Sequence, residues 1–282
     1  MNFSHLKQWI GRTESAGDAA TAAPLTALAA TLDYSGVPWP AGTVPPLGHW
    51  LYLLPQARQS EIGEDGHPHR GGFLPPVELP RRMWAGSTLT FHAPIRIGDK
   101  VTRDSSITAV EHKSGNTGNL VFVKVTHEWS TPSGPVITEI QDIVYREAAK
   151  SEPAAAAPKA EPQFLRHADW TRDINPDPVL LFRFSALTFN GHRIHYDRAY
   201  CTDVEGYPGL VVHGPLTATL LMDLFLRNNP GAQVGAFTFR GRRPLFDTEP
   251  FTLYGSARTG GADLWAIDGK GNVAMTAELE LR

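Results

Sequence analysis

Asn190, His192, His195 and Asp197 bring a carboxamide, two imidazoles and a carboxylate into one short segment of the stretch FSALTFNGHRIHYDRAYCTDVEGYPGLVVHGPL, residues 184–216. A histidine with an ordinary pKa of about 6.5 can take a proton from water and return it, as adding water across a double bond requires. His195 is the candidate base. Taken alone, it reads as a core or surface histidine with a satisfied hydrogen bond, and the neighbouring motif is what favours the base. Farther on, the run Val211-Val212-His213-Gly214-Pro215-Leu216 passes from apolar residues through glycine into proline, which suits a first helical turn. The Gly214 N–H would have no intrahelical acceptor there, and the helix dipole adds positive potential. A thioester carbonyl becoming an enolate is an anion that such a donor stabilises. Close packing is the alternative reading of Gly214. His213 reads either as the cap of that helix or as a contact to the bound substrate.

These residues need a scaffold, and the chain is long enough to build one. It has 282 residues, 41% hydrophobic and 20% charged, values of an ordinary globular protein. With 26 basic and 29 acidic residues the formal charge is −3, so the basic excess of a nucleic-acid binder is missing. The single cysteine, Cys201, fits a reducing compartment, the cytoplasm by default, and nothing beside it activates a thiol. Residues 1–17 lack the apolar run of a signal peptide, and Leu210 to Leu226 is too short and too polar to span a bilayer. We read the latter as a buried helix, with no membrane partner expected.

Residues 149–163, rich in alanine and proline and devoid of large apolar residues apart from their flanks, have a linker composition. They separate a first domain, 1–148, from a second, 164–282. The two halves share a pattern. In the first, the apolar stretch Leu47–Leu54 is read as a helix and is followed by strand-like runs over 87–110, 120–129 and 136–145. In the second, a helix over 216–228 precedes strands at 236–243, 251–258, 264–267 and 273–281, with Asp268–Asn272 as a hairpin turn. Thr90-Phe91-His92 before Pro94 also resembles Thr238-Phe239-Arg240 before Pro244. A mostly apolar helix followed by an antiparallel meander is best buried by a curved sheet wrapped around it. The predicted fold class is therefore α+β, a tandem hot-dog fold with two antiparallel sheets, each wrapped around a central helix and paired edge to edge as an internal pseudo-dimer.

The segment from Asn190 to His195, with His213-Gly214 downstream, resembles the hydratase motif of the MaoC-like (R)-specific enoyl-CoA hydratases and hydroxyacyl-thioester dehydratases. The run FSALTFNGHRIHYD and an N-terminal dehydratase-like half extend the resemblance over nearly the whole chain, toward the itaconyl-CoA and mesaconyl-C4-CoA hydratases of that family. The resemblance implies reversible hydration of an enoyl-CoA thioester, a C5 branched dicarboxylic one in that subgroup, without metal or redox cofactor. It also implies His195 as the base and the Gly214 amide as the oxyanion donor. Asn190 stands where the family has a catalytic aspartate, and a carboxamide cannot exchange a proton. The role expected of Asn190 is to orient water, with Asp197 or a substrate carboxylate assisting His195. HGP in place of HGM is a second departure.

The first half has no counterpart of the histidine motif, so it is expected to be non-catalytic and to supply pocket walls. Trp50 and the cluster Arg81-Arg82-Met83-Trp84 are suited to pantetheine and adenosine phosphate, or to ordinary edge packing with a cation–π contact. Arg240 and Arg242, with Arg243, either grip phosphates or a substrate carboxylate, or blunt a strand edge. Arg193 and Arg198, nearer the base, are the preferred clamps for a free substrate carboxylate. His67 and His69 lack the partners of a metal site, and no metal is assigned. An acyl-CoA thioester is the expected partner, bound by a monomeric pseudo-dimer or a homodimer. A thioesterase and a non-catalytic acyl-CoA binder are the rival readings, since one fold can host several functions.

Overall fold

Most strands form where more and less buried side chains alternate between turn residues. Ten strands join in one antiparallel sheet in the computed structural model, which describes residues 3–115, 118–147 and 168–282. The first half contributes β1 (Thr13–Ala19), β2 (Arg81–Phe91), β3 (Lys100–Gly115), β4 (Gly118–Thr131) and β5 (Gly134–Arg146). The second contributes β6 (Trp170–Ile174), β7 (Val234–Gly241), β8 (Phe251–Arg258), β9 (Gly261–Asp268) and β10 (Val273–Leu281). The linker expected over 149–163 lies outside the described residues.

Across the sheet the order is β1-β3-β4-β5-β2-β7-β10-β9-β8-β6. Read from its two outer edges, each half follows the same path, so the duplication inferred from sequence is a duplication of topology. The halves meet where β2 pairs antiparallel with β7, Ser87 opposite Phe239, Thr88 opposite Thr238 and Leu89 opposite Phe237. An antiparallel pair related by a two-fold axis places equivalent residues opposite each other at its centre. That axis equates Thr88, rather than Thr90, with Thr238. The sequence match thus slips along the strand by an even step, which keeps every side chain on its own face.

Four α-helices accompany the sheet among the described residues. α1 (Phe3–Leu6) is a single turn, whereas α2 (Ala22–Thr31) follows β1 just as α3 (Pro178–Leu187) follows β6, and α2 packs against α3. α4 (Gly214–Asn228) is the central helix of the second half, and every residue from Leu216 to Phe225 is buried. Its apolar circumference is what lets a sheet close around it. The corresponding stretch of the first half, Leu47–Leu54, makes only a 3-10 turn over Gly48–Leu51 instead of the expected full helix. Leu47 (φ 67°) and Leu53 (φ 55°) are left-handed and end it on both sides. The stretch still fills the core through Leu47, Leu51, Tyr52 and Leu53.

One buried charge ties the halves together. Asp223 of α4 accepts hydrogen bonds from Arg172 (2.6 Å) and Arg227 (2.7 Å), and from the Tyr34 hydroxyl of the first half (2.7 Å). Both arginines also donate to the Leu32 carbonyl. Asp223→Ala would leave two cations facing a buried gap. A loss of about 2 to 3 kcal/mol is expected, below the figure for a fully buried pair because Arg172 and Arg227 stay 24% and 28% exposed. Urea denaturation measures it, and an unchanged midpoint would show that the cluster does not hold the halves together.

Candidate active site

The histidine segment is fixed at both ends by short-range hydrogen bonding. Asp177 caps α3 by accepting the Leu180 N–H at 2.8 Å, with Pro178 in the first turn. At the other end Phe189 adopts φ 48°, unusual for a bulky residue, and swings the chain into Asn190, whose N–H donates to the Ser185 carbonyl. The Asn190 Oδ1 accepts the His192 N–H at 3.0 Å. That bond orients the carboxamide, whose amide donors and second lone pair are left to meet a ligand.

His195 closes the 3-10 turn Arg193–His195 and is buried. Its Nδ1 lies 2.7 Å from the Val211 carbonyl. A carbonyl only accepts, so Nδ1 carries the proton and Nε2 presents a lone pair. Burial pushes the pKa down to about 4 against the opposing pull of the Val211 bond, so the ring is neutral at neutral pH. The His213 ring stacks on it at 3.6 Å between centroids and 19° between planes. His213 makes no side-chain cap to α4, contrary to the capping alternative. Its Nε2 is instead 2.8 Å from the Ser185 hydroxyl, and the stack holds the ring away from the helix amides. The His213 Nδ1 is buried without a partner among the described residues, a cost that a bound oxygen would relieve.

The array continues into the first half. His192 meets the edge of His195 at 5.4 Å, and the His67 ring lies 4.0 Å from His192. His67 sits on a small hairpin in which Ile62 bridges Pro68 and Gly63 donates to the His67 carbonyl. At its tip Gly66 has φ 88°, and a Cβ there would fall 1.8 Å from the Gly191 carbonyl oxygen, so glycine is required. The Arg193 N–H donates to the Asp65 carbonyl at 3.0 Å and its guanidinium to that of Glu64 at 3.2 Å. The hairpin is thus docked by backbone bonds. Asp65 accepts the His67 N–H at 2.9 Å and lies 3.2 Å from His67 Nδ1. Burial alone would raise the Asp65 carboxyl, but these bonds and the neighbouring imidazoles hold it well below the usual carboxylate range. Burial lowers the pKa of His192 to about 2, with His67 and His195 adding to the effect.

A family model described as hydroxyacyl-thioester dehydratase type 2 matches residues 47–247. The chain belongs to this family. Within it, the chain is 48% identical over 282 residues to the mesaconyl-C(4)-CoA hydratase of Chloroflexus aurantiacus, covering 100% of this chain and 99% of the relative. Among solved structures, a MaoC-like dehydratase from Phytophthora capsici superposes with a TM-score of 0.70 at 14% identity, covering 100% and 99% of the two chains. A conserved Mycobacterium tuberculosis protein with a double hotdog fold gives 0.60 at 14% identity, covering 99% and 97%. The tandem hot-dog architecture expected from the sequence is the architecture of these neighbours.

In this chain of the type 2 dehydratase family, His192, His195 and His213 form one run of ring contacts, Asn190 meets it through the His192 N–H, and Gly214 opens α4. Trp84 on β2 packs edge-on to Trp50 at 5.1 Å and beside Phe239, and its carbonyl lies against Gly214. It therefore walls the helix entry. The arginines are placed differently from the expectation. Arg193 donates twice to Asp197, at 3.0 and 2.8 Å, and covers the Tyr200 ring, while Arg198 pairs with the buried Asp247. Each guanidinium is already engaged by an aspartate, so neither stands unpaired for a substrate carboxylate. Arg240 lies on the central strand β7, so it blunts no edge. With Arg242 it lines a groove on the exposed face, with Phe122 and Lys124, away from the histidines. His69 is exposed, apart from His67. Cys201 is buried, and burial raises its thiol pKa to about 11, so it is inert. Sequence reasoning missed Ser185 and Asp65. The density of charged residues around His67 was the available signal for Asp65, but its destination across the halves was not.

No helix among the described residues is long and apolar enough to cross a membrane.

Proposed function

We propose that this protein is a hydro-lyase that reversibly adds water to the double bond of an enoyl-CoA thioester, most specifically a C5 branched dicarboxylic one such as mesaconyl-C4-CoA or itaconyl-CoA, giving citramalyl-CoA. The observation that carries the reading is His195. It is a buried, neutral imidazole whose Nδ1–H is pinned to Val211, and its Nε2 is left as a base. The full-length 48% identity to a mesaconyl-C(4)-CoA hydratase supports the substrate class.

In this reading the second domain, 164–282, carries the chemistry. With mesaconyl-C4-CoA, whose double bond is conjugated to the thioester, water adds its oxygen to the β-carbon as His195 takes a proton, and the π electrons move toward the thioester. The Gly214 amide at the α4 entry receives the enolate oxygen, where fixed donors contribute most. The α-carbon then takes the proton back from His195, so no co-reactant is consumed. Asn190 donates its amide to the water oxygen and exchanges no proton. His213 and Trp84 contact the substrate, and Arg240 and Arg242 are candidates for the CoA phosphates. The first domain, 1–148, supplies walls and the partner sheet, so a single chain suffices to complete the fold. A cytoplasmic location fits the lone cysteine.

Purified protein incubated separately with mesaconyl-C4-CoA, itaconyl-CoA and crotonyl-CoA tests the assignment, with hydrated product followed by mass spectrometry and free thiol by a colorimetric assay. Hydration of the dicarboxylic thioesters without thiol release is expected. Crotonyl-CoA as the sole substrate would return the protein to general hydratases. Thiol release would make it a thioesterase.

A further inference from the structure

The active site has a second contributor that the histidine motif does not contain. Position 190 is a carboxamide, and the Asn190 oxygen is already used by the His192 N–H. Asp197, the carboxylate nearest in sequence, is taken by Arg193 and the Tyr200 N–H. Asp65 and His67 are the acid and imidazole that reach the array from the other half, on a hairpin whose tip touches Gly191 backbone to backbone. A carboxylate can only accept, so the 3.2 Å contact places the proton of His67 on Nδ1. His67 therefore presents an Nε2 lone pair, as His195 does.

We propose that His67 is a catalytic residue of the hydratase site, holding the second hydrogen of the attacking water while His195 takes the first, and that Asp65 is the positioning residue that fixes the His67 ring. This rests on the hydratase reading given above. The balance is simple. The water oxygen bonds to the β-carbon, one proton passes through His195 Nε2 to the α-carbon, and the other hydrogen remains on oxygen as the product hydroxyl, released from His67 Nε2. The water is thus oriented by two acceptors from opposite halves, and the two hydrogens have different fates. The expectation of a non-catalytic first half then holds for its sheet and not for this hairpin.

The test uses the full chain and mesaconyl-C4-CoA. His67→Gly should lower kcat by about 100-fold or more, in the range for a positioned proton-handling group, with KM changed less than about threefold. Added imidazole should restore part of the lost kcat, which a purely structural role would not allow. Asp65→Asn, still able to accept from Nδ1–H, should retain at least about tenfold more activity than Asp65→Ala. A His67→Gly enzyme with wild-type kcat, or one that loses activity through KM alone or without imidazole rescue while its circular dichroism is native, overturns the proposal and leaves the hydratase reading intact. Wild-type protein that hydrates none of the thioesters overturns both. Loss of wild-type activity on chelation with recovery on adding zinc would place a cation among Asp65, His67 and His192, whose ligating atoms lie within 4.8 Å of one another, and would also overturn it.

Discussion

His195→Ala is expected to lower kcat for hydration of mesaconyl-C4-CoA by about 100- to 10,000-fold, the usual span for loss of a positioned general base, with little change in KM. The argument is geometric. His195 Nδ1 is locked by the Val211 carbonyl, the stacked His213 fixes the ring plane, and only Nε2 is free to face substrate. His213 is a poor substitute, because Ser185 holds its Nε2 and the ring stacks on the face of His195. The same geometry sets the pH dependence. A base is lost when it is protonated, and burial has moved that event down to about pH 4. Activity should therefore stay flat from pH 8 to about 5, where an ordinary histidine would already be failing. Steady-state kinetics across that range, with circular dichroism recorded on the same samples, provide the check. A midpoint near 6.5 would mean that His195 is solvated and not the base described here.

Acid should unfold the protein steeply, beginning well above the range in which carboxylates titrate. His195 and His213 are both buried and both have pKa values pushed below the ordinary 6.5, His195 to about 4 and His213 farther. The unfolded chain binds protons at these histidines below pH 6.5 while the folded chain does not. Stability is thus full above 6.5 and falls as the pH drops toward the folded values. Each such histidine costs about 1.4 kcal/mol per pH unit in that window, so the pair costs about 3. Against a total of about 5 to 15 kcal/mol for a typical domain, two pH units remove a large share. Thermal melts at pH 7, 6, 5 and 4 should show a progressive fall in Tm, and His213→Phe should make the fall shallower without abolishing it, because His195 and His192 still titrate. A Tm independent of pH between 6.5 and 4.5 would contradict the buried neutral stack.

The chemistry-bearing segment was legible because its residues are close in sequence. His195 and Gly214 lie on consecutive elements of one half, and the apolar run after Pro215 marks α4 without ambiguity. β8 and β10 were read with their observed bounds, since alternation and the Asp268–Asn272 turn bracket them. β1 was missed because Thr13–Ala19 is almost wholly exposed and carries no alternation, as an outer strand can afford. The overread helix at Leu47–Leu54 shows the complementary failure. Apolar content signals burial, but two left-handed residues stop the helix, and leucine gives no warning of them. The Asp65–His67 hairpin was illegible for a different reason. Its meaning lies in a contact with Gly191 and His192 across the two halves, and no local pattern encodes such a partner.

Pairing β2 with β7 inside one polypeptide turns an association between subunits into an intramolecular event. The halves meet at an effective concentration of about millimolar, the usual value for tethered partners, whatever the concentration of the protein, so dilution cannot separate them. Covalent joining also removes the rule that both partners be alike. A change in one half is no longer copied into the other. One half is free to keep a long central helix and the histidine motif, while its twin shortens the helix to a turn and spends a loop on reaching across. A symmetric pair would have two equal sites, each limited to residues that work in both settings. This chain gathers four imidazoles from unequal halves into a single array.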